Sequence, residues 1–418
     1  MRVRVLGAAN EVGRSAIFLE SDGSRLLLDY GVKLSREPEF PLHVRPKDLD
    51  GIVVSHAHLD HVGAVPSFFM SSGTSMVSTP VTLELSKLLL YDFLKISGPL
   101  LPFDQACVEQ MARRSELRQC GDGFGFGGFK VGFSDAGHIP GSCVTTLEAD
   151  RRAIYTGDIN LVKTRLLGPA QLDSLDADII ITECTYATAD HPDREKEEER
   201  FVRYAERIVE EGGTLLVPSF AVGRAQELAC ILYSHSFKHK VYMDGMALKT
   251  NQVLMDHPDS VRDPTLLRRA LESVEMVDDW GTRKRAVADS SVIISPAGML
   301  VGGASVFYNK SVAKDRRNGI AIVSFQVPGT PGHRLLEKRE VVLDGRRYKV
   351  NADVQRFDFS SHLGKTELFS LFKHRVKGSP KVIAVHGERE NSRWFVETLR
   401  RELGLDAVAP EAGDTFEV

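Results

Sequence analysis

No CxxC pair occurs in the 418 residues; Cys107, Cys120, Cys143, Cys184 and Cys230 stand far apart. That argues against a zinc ribbon and a disulfide framework, and it suits reduced thiols in a cytoplasmic protein. Net charge is nearly absent as well, with 53 Lys and Arg against 57 Asp and Glu for a formal −4. No bulk cationic field therefore draws nucleic acid, and any site for a polyanion must be local. Long apolar runs are also missing. The most apolar segment, VTLELSKLLLYDFLKISGPLLP, is broken by Glu84, Lys87, Asp92 and Lys95 at helical intervals, which makes it an amphipathic helix and not a membrane span. The opening MRVRVLGAAN alternates Arg and Val, so it is expected to be a first strand and not a leader peptide. There is no repeat and no low-complexity stretch, and the 42% hydrophobic content is that of a chain with two or three packed domains.

What is present begins with short strands. RVRVLG, SAIFLES and SRLLLDYG read as a meander, and GIVVS as a buried strand running into SHAHLDHVGA, with HVGAVPSFFM starting a helix beyond it. A helical stretch is expected around 81 to 118. Strands resume in FKVGFSDAGH, CVTTLEAD, RAIYTGD and DADIIITEC. The glycines and phenylalanines of GDGFGFGGF could stack bases, but they fit a tight hairpin better. Near Thr188 the texture changes to alternating helix and strand, with DREKEEERFVRYAERIVEEGG, TLLVPSF, AVGRAQELACILYSH and KVYMDG, which reads as an inserted α/β domain. It carries a basic hairpin, EKREVVLDGRRYKV, and its charge run at 193 to 200 is expected to be a solvated helical face. From about Asn351 the strands FDFSSH and KVIAVHGE follow, and a helix closes the chain.

HAHLDH sets three histidines and an aspartate in six residues. Imidazole and carboxylate are the donors that borderline divalent metals prefer, and clustered donors of this kind contribute little to packing. On extended backbone His56 and His58 point the same way, while Asp60 and His61 at the helix start can face a neighbouring site, which suggests two metals. His138 in DAGHIPGS, Asp158 in YTGDIN and His386 in AVHGE end strands and can join them, with Asp158 able to bridge. His43, His191, His235, His239, His257, His333 and His374 have no such context and are expected to play ordinary structural roles.

The set LLLDYG, HAHLDH, AGHIPGS and TGD resembles the metallo-β-lactamase superfamily, an α/β fold built as an αββα sandwich with its metals at the edge between two sheets. TECTY, FSSH and VHGE, with PSFAVGRAQE and SPAGML between them, look like its nucleic-acid-processing β-CASP branch, and most of all like archaeal and bacterial ribonucleases related to the nuclease subunit of the cleavage and polyadenylation specificity factor. The resemblance covers nearly the whole chain. It implies metallo-β-lactamase segments at 1–188 and 346–418 around an inserted α/β β-CASP domain at 189–345. It implies two Zn²⁺, one held by His56, His58 and His138 and the other by Asp60, His61 and His386, bridged by Asp158, with Asp29 orienting ligands from behind. Glu183 and His362 match a family pair beside the metals.

Two metals suit phosphodiester hydrolysis, and a departing ribose 3′ oxygen needs a proton, which His362 oriented by Glu183 would supply, giving a 5′-phosphate and a 3′-hydroxyl. RNA is implied over DNA by His386, because DNA-processing relatives often carry Val there. The expected partner is single-stranded RNA, in a cleft closed by the inserted domain, with Ser219, Arg224, Ser360 and Ser361 as candidate phosphate contacts, no membrane, and a second copy or an RNA-processing complex as protein partners. Endonuclease and 5′→3′ exonuclease action both stay open. With the first strand expected to begin at residue 2, no room is expected for the N-terminal RNA-binding KH modules of larger archaeal relatives. Two competing readings are a catalytically weak scaffold subunit, which the full ligand set opposes, and a thioester or lactam hydrolase, which would not need the inserted domain.

Overall fold

The computed structural model describes residues 1–35, 37–70, 73–327, 329–343 and 346–418. It falls into two compact units: residues 1–163, 168–190 and 361–418, and residues 164–167 and 191–360.

The first unit holds two seven-stranded sheets. One runs, in spatial order, Thr415–Glu417, Arg2–Val5, Ile17–Ser21, Ser24–Leu28, Gly51–Val53, Met76–Ser78 and Ser115–Leu117; the other runs Asp406–Val408, Lys381–Val385, Ile179–Glu183, Arg152–Tyr155, Cys143–Glu148, Phe129–Asp135 and Gly123–Phe126. Each sheet is antiparallel in one half and parallel in the other. Alternating residues such as Val3, Val5, Leu19 and Leu28 from the first sheet meet Val131, Phe133, Leu147, Ile181 and Ile383 from the second in one dry core. The outer faces pack on helices: Pro80–Ser97 and Gln105–Arg113 cover one sheet, and Lys365–Arg375 and Arg389–Leu403 cover the other. Helix, sheet, sheet and helix layers result. Strands such as Ile179–Glu183 are buried throughout because both of their faces are covered, which is why IIITE does not alternate.

Local expectations met mixed outcomes. Gly123–Phe126 and Phe129–Asp135 form the hairpin read from GDGFGFGGF, and Gly127 and Gly128 in its turn have φ of 52° and 82°. A short helix, Leu59–Val62, begins inside HAHLDH, and the stretch beyond it continues only as a 3₁₀ segment, Val65–Phe69, whose start Pro66 accommodates. The helical region at 81 to 118 is two helices and the edge strand Ser115–Leu117. FDFSSH is a loop and not a strand, and the last helix is followed by two short strands that extend the two sheets.

The second unit is a six-stranded parallel sheet in the order Glu275–Val277, Val241–Asp244, Val292–Ser295, Leu215–Pro218, Gly319–Ile322 and Asp353–Arg356. The boundary expected at residue 345 lies outside the described residues. The pairing of Asp353–Arg356 with Gly319–Ile322 carries this unit's sheet on to residue 356. The hairpin Glu340–Leu343 with Arg346–Lys349 belongs to the same unit.

The charge run at 193 to 200 is not merely solvated. Asp193 caps the helix Arg194–Glu210, and Glu197 and Glu198 are buried on it. Glu198 pairs with Arg165 and Arg194, and Glu197 with Arg200, because a carboxylate is tolerated inside only when cations and donors surround it. Glu227, from GRAQE, accepts the amides of Arg165 at 3.0 Å and Leu166 at 2.7 Å and pairs with Arg194. Glu227→Ala would strand these donors, so it should lower stability by about 3 kcal/mol, the scale for breaking a buried pair. Urea denaturation of the two proteins side by side checks this. Among the described residues, no helix is long and apolar enough to cross a membrane.

Candidate metal centre

Six chain segments of the first unit end at one edge of its two sheets. Asp29 follows Ser24–Leu28, His56 follows Gly51–Val53, His138 follows Phe129–Asp135, Asp158 follows Arg152–Tyr155, Glu183 ends Ile179–Glu183, and His386 follows Lys381–Val385. Functional groups gather at the carboxyl ends of strands because the chain leaves the ladder there and can turn its side chains inward. Asp29 and His386 both do so with left-handed backbone, at φ of 55° and 49°, a conformation uncommon outside glycine and held here by the packing around it. Gly31 is required for a different reason. A Cβ there would sit 1.8 Å from the Asp60 carbonyl oxygen, so only glycine lets the loop after Asp29 lie against the Asp60–His61 turn.

Three donor sets are assembled. His56, His58, His138 and Asp158 converge, as do Asp60, His61 and His386, and Asp158 also meets Glu183 and His362; within each set the ligand atoms lie within 4.8 Å of one another. Asp158 faces both of the first two. Its Oδ2 lies 3.5 Å from Nε2 of His56 and of His138, and its Oδ1 lies 3.3 Å from His61 Nε2 and 3.4 Å from His386 Nδ1. His386 Nε2 is 3.2 Å from Asp60 Oδ2.

The residues fit cations better than they fit one another. His138 donates its Nδ1 proton to the Ser361 carbonyl at 2.8 Å, which turns Nε2 toward His58 Nδ1 at 3.1 Å. Among the described residues, buried His56 Nε2 and Asp158 Oδ1 find no hydrogen-bond partner of good geometry, an arrangement expected to cost free energy unless an ion takes up their lone pairs. Burial pushes His56 and His138 well below the ordinary imidazole range, which keeps them as neutral lone-pair donors. His61 behaves oppositely: burial opposes its proton, but Asp158 and Asp29 outweigh burial and hold the ring well above the ordinary range. Burial likewise opposes charge on Asp158, and His386 and His61 more than offset it, keeping the carboxylate ionised.

A second layer fixes these rings. Asp29 accepts from Ser55 N, Ser55 Oγ, Tyr155 OH and His61 Nδ1, each at 2.7 Å. With Nδ1 thus committed, His61 presents Nε2 to the site. Ser55, Tyr155 and Thr185 were not singled out from sequence, although each adjoins or lies within a motif, in SHAHLDH, YTGD and TECTY. A hydroxyl beside such motif residues carries no mark of its role until the fold shows which way it points.

His362 stands beside the cluster. Its Nδ1 lies 2.9 and 2.8 Å from the two Glu183 oxygens, and Glu183 Oε1 also accepts the Ile159 amide at 2.8 Å. Burial works against a proton on His362, but the carboxylates of Glu183 and then Asp158 push it up to about 9. Of the phosphate candidates, Ser361 serves His138 through its carbonyl, and the Ser360 amide donates to Asp358 in the second unit. Also in that unit, Arg224 opens the helix Arg224–Ser234 and Ser219 is fully enclosed after Leu215–Pro218.

Family profiles match three stretches: the Metallo-beta-lactamase superfamily over residues 9–205, the Beta-Casp domain over 225–335, and the Zn-dependent metallo-hydrolase RNA specificity domain over 347–410. The protein named RNase aCSPSF2 of Saccharolobus solfataricus is 36% identical over 416 residues, covering 98% of this chain and 84% of its own. Ribonuclease TTHA0252 of Thermus thermophilus is 31% identical over 413 residues, covering 93% and 94%. A crystal structure of a protein of unknown function from Enterococcus faecalis V583 shares the fold, with a TM-score of 0.63 at 14% identity over 99% of both chains.

Proposed function

Since this chain belongs to the metallo-beta-lactamase superfamily, in the branch with a Beta-Casp domain, we propose that it is a zinc-dependent ribonuclease hydrolysing phosphodiester bonds of single-stranded RNA with two ions. The observation that carries this reading is Asp158, whose two oxygens face two separate histidine sets in the first unit. His56, His58 and His138 would hold one ion, Asp60, His61 and His386 the other, and Asp158 both. Seven donors are too many for one tetrahedral ion. Bound there, a pair of zinc ions supplies Lewis acidity and a nucleophile at neutral pH.

The chain's own residues do the remainder. His362 keeps Nδ1–H on Glu183 and gives the proton on Nε2 to the departing 3′ oxygen, leaving a 5′-phosphate on the other fragment. Glu183 stabilises the charged ring before transfer and fixes its plane. Asp29 and the Ser361 carbonyl hold His61 and His138 in the tautomers that keep Nε2 turned inward. The names of the archaeal and bacterial relatives, both ribonucleases, and the match to an RNA specificity domain support RNA as substrate.

Labelled single-stranded RNA carrying either a 5′-phosphate or a 5′-hydroxyl, incubated with the purified zinc-loaded protein, tests this. Cleavage to 5′-phosphate products is expected, with single-stranded DNA of the same sequence cut more slowly. Equal rates on the two polymers would remove the inference drawn from His386. The pattern of products separates internal cutting from stepwise removal at the 5′ end.

A further inference from the structure

Thr185 follows Glu183 by two residues and is half-buried in the first unit. Its Oγ1 meets Glu183 Oε2, the His386 carbonyl oxygen at 2.9 Å and His386 Nδ1 at 3.2 Å. The backbone beneath it is tightly held. The Cys184 amide donates to the Val385 carbonyl at 3.0 Å, Asn391 Nδ2 donates to the Thr185 carbonyl at 2.6 Å, and a Cβ on Gly387 would sit 2.5 Å from Cys184 Sγ.

A threonine hydroxyl has one proton and two lone pairs. Of its neighbours the Glu183 carboxylate is the charged and nearest acceptor, so it takes the proton, and the His386 carbonyl shares it at most. His386 Nδ1 can then only donate to Oγ1; its next neighbour, Asp158 Oδ1, is more distant at 3.4 Å. The ring is thereby left in the tautomer with its lone pair on Nε2, 3.2 Å from Asp60 Oδ2. The same hydroxyl completes the donors around Glu183, which already receives Ile159 N and His362 Nδ1.

We propose that Thr185 is a positioning residue that serves both halves of the centre, setting the tautomer of His386 for the ion beside Asp60 and holding Glu183 in place for His362. The proposal rests on the functional reading above, in which His386 is a ligand and His362 the acid. The hydroxyl is the shared element, so its removal should weaken both together.

Thr185→Val keeps the branched shape and removes the hydroxyl, and Thr185→Ser restores it. Zinc affinity, measured by competition with a chromophoric chelator, should fall about 10- to 100-fold at one of two sites in Thr185→Val, the usual worth of such an outer partner, and recover in Thr185→Ser. At saturating zinc, Thr185→Val should still cleave RNA more slowly than the parent while keeping nearly the parent's rate on a nitrophenyl phosphodiester, whose leaving group needs no proton. Zinc affinity unchanged in Thr185→Val, equal loss on both substrates at saturating zinc, or Thr185→Ser no better than Thr185→Val would each overturn the proposal. The chelator titration does not pass through RNA cleavage. A parent protein that failed to cut RNA would therefore refute the functional reading, while the titration would still decide whether Thr185 supports an ion site.

Discussion

His362→Ala should retain both zinc ions and cleave RNA roughly 10²- to 10⁴-fold more slowly, the usual worth of a positioned proton donor. His362 bonds Glu183 through Nδ1, so the proton it would give the substrate is the one on Nε2. On a nitrophenyl phosphodiester the variant should be nearly as fast as the parent, because that leaving group departs without a proton. The acid form is the competent one, so the parent's rate on RNA should fall as pH rises through the pKa of His362. The value of about 9 belongs to the ion-free site, where Asp158 contributes to raising it. Cations beside Asp158 cancel part of that contribution, which places the falling limb below 9. Glu183→Ala should resemble His362→Ala more mildly and move the limb lower, since the carboxylate that favours the protonated ring is gone. A His362→Ala protein that lost zinc, or was equally slow on the activated ester, would show that His362 holds an ion.

Asp158→Ala should fail on both substrates, by roughly 10³-fold or more, on the scale of losing a charge-organising group in a closed site. The reason is geometric: its two oxygens are the elements shared by the two donor sets. The variant should also bind less than the parent's complement of zinc, which elemental analysis would register. The contrast between the two variants is the informative result, because a leaving-group effect belongs to an acid and a uniform loss belongs to the metal framework. Equal behaviour of Asp158→Ala and His362→Ala across both substrates would mean that the two residues share one role.

How much of this was legible from the chain differs by residue. HAHLDH stood out because four clustered donors do little for packing, whereas His138, Asp158 and His386 stood out through their place at strand ends and their ordered motif context, and the structure brings all of them together. Glu183 and His362 came from the resemblance, since neither lies in a local pattern that marks a catalytic pair, and 179 residues separate them. Ser55, Tyr155 and Thr185 were invisible because a hydroxyl is ordinary in composition and its role depends on direction. Glu197, Glu198 and Glu227 were misjudged or passed over for a related reason. A run of charges looks solvated until Arg165, Arg194 and Arg200 are placed against it. The final strand, Thr415–Glu417, is too short to carry a period and is specified by its partner Arg2–Val5.

The most direct test of the central claim is a zinc titration of metal-free protein followed by cleavage of a 5′-labelled single-stranded RNA. Cleavage should be absent without metal, rise as zinc is added, and level off at about two equivalents per chain, the number that a bridged pair requires. Cleavage by the metal-free protein, or full activity at a single equivalent, would contradict it.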